Sequence, residues 1–222
     1  MPGPHDRFIR YVFGSPELAA ALLRAGLPAG LVARVRWSSL RREPADFVDT
    51  ALRESLSDLI FSAPLHGSSQ RAFFILEHQS TVTRRMAARV HRYVWSLLDF
   101  WERQQPESPY PLIAVLVLYH GPRSSWWAPR RLEELYDVPL QQAWQEGWLP
   151  LLTRLEYALE DLTTRSEEQL LAYAGPPLAQ QAAQQAVEGV GAPFRADVFL
   201  CRRRGEPAIS RLLPEGNWGQ GD

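Results

Sequence analysis

Between residues 59 and 119 the chain sets out two short apolar runs, a long amphipathic stripe and a third run that is apolar without a break. Few folds accept that order. Leu59 to Leu65 carries Leu59, Ile60, Phe61 and Leu65, and Arg71 to Glu77 carries Phe73, Phe74, Ile75 and Leu76. His66-Gly67-Ser68-Ser69-Gln70 lies between them. Two runs of strand length around a Gly/Ser cluster predict a β-hairpin. From about Thr83 to Gln105, Met86, Val90, Val94, Leu97, Leu98 and Trp101 fall on one helical face. Leu112 to Tyr119 is apolar on both faces and is closed by His120-Gly121-Pro122, the pattern of a fully buried strand. A strand, a long helix and a second strand form a crossover unit, so the expected fold is α/β, a mixed β-sheet flanked by helices.

The flanking segments are less regular. Pro16 to Leu27 predicts a helix, with Ser15 as its cap, Pro16 at the first helical position and Gly26-Leu27-Pro28 as its stop. Val32 to Val48 is ambiguous, with a possible strand at Arg34 to Leu40 and a break at Pro44. Beyond Arg130 the pattern reads as a helical C-terminal part, clearest at Leu149 to Asp161 and Ser166 to Tyr173. After Gly175 the text turns Ala/Gln/Gly/Pro-rich. The expected division is a principal unit over 1–174 and a poorly defined, partly disordered segment over 175–222.

Composition narrows the chemistry. Apolar residues are 45% and charged residues 22% of 222, the balance of a soluble globular chain. No apolar run approaches the roughly 20 residues that span a bilayer, so no membrane partner is expected. Met1 to Arg10 shows no apolar core of a secretory signal. One cysteine, Cys201, excludes an internal disulfide and any multi-cysteine zinc site, and points to the reducing cytoplasm. All basic residues are arginine, with no lysine anywhere. Schiff-base chemistry, a P-loop lysine and any catalytic lysine are thereby excluded. The net charge of −1 supplies no general attraction to nucleic acid, so any such contact needs a local basic patch.

The hairpin has an acid at each open end. Asp58 precedes the first run and Glu77 closes the second. A turn centred on Gly67-Ser68 sets Asp58 opposite Glu77, and one centred on Ser68-Ser69 sets it opposite Gln79. Directly opposed residues hold their Cβ atoms about 4.5–5.5 Å apart. Two carboxylates that close repel unless a cation lies between them. Hard oxygen donors with open positions suit Mg²⁺ or Mn²⁺, which can activate water and stabilise charge on a phosphoryl oxygen. The competing reading makes Asp58 a turn cap and Glu77 a surface acid beyond the strand.

Ser57-Asp58-Leu59-Ile60, Leu76-Glu77-His78-Gln79-Ser80, Met86-Ala87-Ala88-Arg89 and Leu118-Tyr119-His120-Gly121 occur in that order. His5-Asp6-Arg7-Phe8, Ser15-Pro16-Glu17 and Phe47-Val48-Asp49 accompany them. Together, over roughly Pro4 to Leu171, they resemble the recombination-promoting nuclease (Rpn) family, often labelled as transposases and similar to the PD-(D/E)XK nucleases. The resemblance implies a nuclease-like core whose catalytic residues are Asp58, Glu77 and Gln79. It implies metal binding by Asp58, Glu77 and the backbone carbonyl of His78, with Gln79 in the position usually held by lysine. The implied activity is divalent-metal-dependent DNA endonuclease cleavage linked to recombination or mobile elements. The alternative is a catalytically weak or inactive DNA-binding or assembly protein on the same fold. A neutral amide cannot take a proton near pH 7, so Gln79 is expected to orient water instead of acting as a base.

Other candidates each have a plainer explanation. Arg85, Arg89 and Arg92 form a possible DNA-binding stripe along the long helix, or a solvated face. His78 should point to the opposite sheet face from Glu77 and Gln79 and be a buried, hydrogen-bonded residue. His120 is expected to end its strand. Trp126-Trp127 could stack on bases, but packing onto the core is the stronger expectation. Glu17 reads first as an acid favoured by the helix dipole and only second as a helper at the metal. Arg202-Arg203-Arg204 reads as a solvated turn.

Overall fold

The computed structural model describes residues 14–44, 59–121 and 125–165. Five strands form one sheet in chain order: β1 (Arg41–Arg42), β2 (Leu59–Pro64), β3 (Arg71–Gln79), β4 (Leu112–Tyr119) and β5 (Ala158–Asp161). β1, β2 and β3 are antiparallel neighbours, while β3, β4 and β5 run parallel. The expected mixed sheet is therefore present. A parallel pair needs a long crossover, and between β3 and β4 it is the helix Met86–Gln104. We number the helices α1 (Pro16–Gly26), α2 (Ala29–Val32), α3 (Met86–Gln104) and α4 (Leu140–Gln145). No helix among the described residues is long and apolar enough to cross a membrane.

Each sheet face has its own core. On one, α1 lays Leu18, Ala19, Leu22 and Leu23 against Phe61, Ala63, Phe74, Leu76, Leu116 and Leu118. On the other, α3 lays Met86, Ala87, Val90, Tyr93 and Leu97 against Ile60, Phe73, Ile75, Val115 and Val117. Alternate residues of each strand feed opposite cores, as the two-residue period of a strand requires. Ala72 through His78 are buried without interruption, which explains the continuous apolar text of β3. The end of α1 sits tightly on β4: a Cβ on Gly26 would lie 2.7 Å from Leu116 Cδ1.

The hairpin register is the first of the two that the sequence allows. Leu59 pairs with Leu76, Ile60 with Ile75 and Pro64 with Arg71. Leu65 N–H donates to the Gln70 carbonyl at 3.1 Å, and Gly67 takes φ 68° in the loop beyond. A left-handed residue at that place is what selects the Gly67-Ser68 centre over Ser68-Ser69.

Several local expectations are corrected. The possible strand at Arg34 to Leu40 is an isolated bridge at Val35, then a 3₁₀ turn at Trp37–Ser39, and the strand itself is Arg41–Arg42. Ser15 occupies the N-cap of α1 without a side-chain cap bond; its Oγ donates to Glu17 Oε2 at 2.5 Å instead. Leu149 to Asp161 is not a helix. After a short 3₁₀ turn at Leu149–Leu151 the chain enters β5, which pairs with β4 from Leu116–Ala158 to Tyr119–Asp161. Glu160 disguised this strand, because a charge is expected in solvent. It is 1% exposed and is held in a two-pronged ion pair by Arg165, Nε to Oε1 at 2.5 Å and Nη2 to Oε2 at 2.7 Å. Ser166 to Tyr173, the segment 175–222 and Arg202-Arg203-Arg204 lie outside the described residues.

Candidate active site

Glu77 and Gln79 stand at the C-terminal end of β3, on the face that packs against α3. This is the end of a parallel sheet at which ligands of α/β folds usually bind. Glu77 pairs with Val117 and Gln79 with Tyr119, so both side chains are aimed by the β3–β4 ladder. His120 N–H donates to the Gln79 carbonyl at 3.0 Å and continues that ladder past the strand end.

Glu77 is not the surface acid of the plainer reading. It is 1% exposed. Its two oxygens have different surroundings. Oε1 accepts from Gln79 Nε2 at 2.5 Å and from Arg89 Nη1 at 3.4 Å. Oε2 is buried and has no hydrogen-bond donor among the described residues. A buried carboxylate oxygen without a donor is costly, by about 1–3 kcal/mol or more for a charged group. Such an atom needs an explanation, and an oxygen-seeking cation is one that fits.

Gln79 does more than the sequence suggested. Its Nε2 also donates to the His78 carbonyl at 2.9 Å. An amide nitrogen has two protons, and here they join the Glu77 carboxylate to the His78 carbonyl. Gln79 thus ties together the two described groups expected to hold the metal, the Glu77 carboxylate and the His78 carbonyl. Its carbonyl oxygen is its other polar atom.

The third expected site residue, Asp58, lies outside the described residues. It directly precedes Leu59 in the chain, whose partner Leu76 directly precedes Glu77. The His78 side chain lies on the other face, as expected; it is buried and stacks on His120, ring centroids 6.2 Å apart and planes 12° apart. Neither ring shares the face of Glu77.

The three arginines of α3 separate. Arg85 is the N-cap residue and is exposed, and Arg92 is exposed. Arg89 lies at the flank of the buried stripe and reaches across to Glu77, its side chain 32% exposed. The sequence placed it on a solvated or DNA-tracking face. Helical spacing reports which way a Cα faces, and a guanidinium can reach a neighbouring element from a flank position.

Of the tryptophan pair, Trp126 resolves as a packing group. Trp126 stacks edge-on against Tyr119 and Tyr157, centroids 5.2 and 6.2 Å away, and its Nε1 donates to Tyr157 Oη and the Ala128 carbonyl. Trp127 does not pack onto the core as expected: it is 61% exposed. Asp161, level with Gln79 and Tyr119 across the sheet, accepts from Trp126 N–H at 2.7 Å and from Thr163 N–H at 2.9 Å. It is committed to holding two loops. Glu17 is exposed in the first turn of α1, and the Ser15 hydroxyl holds its carboxyl below the usual range.

Comparison with known proteins places the chain in a family. The family described as "Putative transposase, YhgA-like" matches residues 3–188. The recombination-promoting nuclease RpnD of Escherichia coli O157:H7 is 29% identical over 150 residues, covering 67% of this chain and 58% of that protein. RpnA of Escherichia coli K12, also named a recombination-promoting nuclease, is 27% identical over 176 residues, covering 76% and 55%. RpnE of the same strain is 30% identical over 150 residues, covering 66% and 49%, and is named an inactive nuclease-like protein. The chain spans about half the length of the curated relatives it matches. No solved structure matches it. With the family pattern covering most of its length, the chain belongs to the YhgA-like transposase family, which it shares with recombination-promoting nucleases.

Proposed function

We propose that this chain is a divalent-metal-dependent DNA endonuclease of the cytoplasm, with Asp58, Glu77 and Gln79 as its catalytic residues. One observation carries the reading: Glu77, buried at the end of β3, has one oxygen engaged and the other without a donor among the described residues. Asp58, Glu77 Oε2 and the His78 carbonyl would hold the cation, and an all-oxygen donor set suits Mg²⁺ or Mn²⁺. When bound, the cation supplies activation of water and neutralisation of charge at the phosphoryl oxygens. The names of RpnD and RpnA support DNA as the partner and recombination as the setting.

The chain's own residues do the positioning. Gln79 fixes the Glu77 carboxylate and the His78 carbonyl relative to each other through its two amide protons. It cannot serve as the base, because an amide does not take a proton near neutral pH. The proton of the attacking water passes to solvent. The water oxygen bonds to phosphorus, the bond from phosphorus to the 3′ oxygen breaks, and that oxygen takes a proton from water. The products are a 5′-phosphate and a 3′-hydroxyl.

A second reading is a DNA-binding or assembly protein on a nuclease fold without activity. The relative named inactive, at 30% identity, favours keeping it in view. A plasmid-cleavage assay separates the two. Nicking with Mg²⁺ or Mn²⁺ that stops in EDTA and is abolished by Asp58→Ala is the expected result. Normal cutting by Asp58→Ala would show that the site is elsewhere, and DNA binding without cleavage under every metal would favour the second reading.

A further inference from the structure

We propose that Arg89 is a working cation of this site, placed to meet the scissile phosphate, and not one step of a DNA-tracking stripe. The inference rests on the nuclease reading above. Its motive is a missing charge. Hydrolysis of a phosphodiester raises the negative charge at the reacting phosphate from one to two in the transition state. Fixed positive groups aimed at such developing charge are among the strongest contributions to catalysis. Gln79 is neutral, and the chain contains no lysine, so any side-chain cation that holds its charge at every working pH here is a guanidinium.

Among the described residues, Arg89 is the arginine paired with Glu77. It comes from the first turns of α3, which follow the β3 strand end after a short connection. Its Nη1 lies 3.4 Å from Glu77 Oε1, whereas Gln79 Nε2 lies at 2.5 Å from the same oxygen. Gln79 therefore orients the carboxylate, and Arg89 adds a longer, weaker contact that can be exchanged for a phosphate oxygen. Arg89 is one-third exposed while Glu77 is closed off, so the guanidinium borders the solvent from which DNA must approach. A guanidinium holds its proton throughout the working pH range. Arg89 thus moves no proton: it offsets charge.

The position makes two effects of opposite sign. Arg89 beside Glu77 repels an incoming divalent cation, so removing its charge strengthens metal binding. It also attracts the developing phosphate charge, so removing it slows the reaction at saturating metal. An arginine that only balances Glu77 in the fold would give the first effect without the second. An arginine that only tracks the duplex would give neither, and would show solely weaker DNA binding.

The experiment compares wild type, Arg89→Met and Arg89→Lys by calorimetric Mn²⁺ titration without DNA, thermal melting in EDTA, and single-turnover cleavage at saturating Mn²⁺. Arg89→Met is expected to melt lower in EDTA and bind Mn²⁺ about tenfold more tightly. It is expected to cut about one hundredfold more slowly, the scale of one electrostatic stabiliser. Arg89→Lys should keep wild-type melting and metal affinity and recover part of the rate. If Arg89→Met does not fold, Arg89→Gln makes the same comparison. Unchanged or weaker Mn²⁺ affinity overturns the inference, and so does an unchanged rate at saturating Mn²⁺; in both cases the metal-nuclease reading stands. If wild type binds no Mn²⁺, that reading falls and this inference falls with it.

Discussion

Glu77→Gln is expected to stabilise the metal-free protein while abolishing its metal binding. The substitution keeps shape and volume and removes one charge. Burying an ion costs several kcal/mol even after relaxation, and Glu77 is 1% exposed with Oε2 lacking a donor among the described residues. The compensation is limited. The charge-assisted bond from Gln79 contributes about 1.5–3 kcal/mol, and a glutamine carbonyl at position 77 retains part of it. The ion pair with Arg89 is long, at 3.4 Å, and Arg89 is one-third exposed. Solvent screening therefore limits it to about 0–1 kcal/mol, the scale of exposed pairs. Once Glu77 is neutral, Arg89 can turn to water at little cost. The balance favours the variant by about 1–2 kcal/mol, or about 2–8 °C for a domain of this size. Calorimetric melting in EDTA measures it, with a Mn²⁺ titration alongside. A melt lowered by 2 °C or more would mean that the carboxylate anchors the fold. Mn²⁺ affinity retained within a few-fold would mean that it is not a ligand.

Three further outcomes are expected. Arg85→Glu with Arg92→Glu should weaken DNA binding for all sequences and flatten the salt slope by about 0.9 for each phosphate no longer neutralised; an unchanged slope assigns these exposed arginines to a solvated face. Gln79→Ala should reduce metal affinity about ten- to one-hundredfold, the scale for a residue that orients ligands, because it frees both Glu77 Oε1 and the His78 carbonyl; loss of turnover with full metal affinity would restore the simpler water-orienting role. Burial pushes the Tyr157 hydroxyl up to about 12, so the folded state holds this proton more tightly than the unfolded chain. The associated stability is whole below pH about 10 and is lost as pH rises towards 12, and Tyr157→Phe should remove that alkaline loss as read by pH-dependent melting.

How much of this was legible depends on what each residue had to reveal. The hairpin, α3 and β4 could be read because their apolar residues follow a period and each buries a whole face. The register was open until Gly67 settled it by its left-handed backbone. Glu77 could be found because it closes the second hairpin run, opposite Asp58 in one of the two registers. Tyr93, fully buried on α3, escaped because Leu98 suggested a slightly different stripe, and a tyrosine does not announce burial. β5 escaped because it is four residues long and its Glu160 is neutralised by Arg165, a partner invisible to periodicity. The pairing of Arg89 with Glu77 escaped for a related reason. The contact joins a helix flank to a strand end, and only the packing of α3 on the sheet brings the two together.

The proposed chemistry is nevertheless local in the chain. Asp58, Glu77, Gln79 and Arg89 all fall between residues 58 and 89. The described part of that interval is one strand–hairpin–strand–helix unit, β2 to α3, and its geometry follows from a few constraints. The antiparallel register puts Leu59 beside Leu76, so the ends of both runs lie together. The parallel pairing of β3 with β4 forces the chain to cross over, which carries the first turns of α3 back over the β3 end. Burial of Val90 and Met86 then fixes the helix rotation and leaves Arg89 on the flank nearest Glu77. Each step serves the hydrophobic core, yet together they bring a carboxylate, an amide and a guanidinium to one strand end. A core substitution that shifts α3, such as Met86→Ala, should therefore damage the Arg89–Glu77 contact before it damages the Gln79–Glu77 bond, which lies within β3. The comparison is direct. Such a variant should resemble Arg89→Met in metal affinity and rate while keeping the behaviour that depends on Gln79.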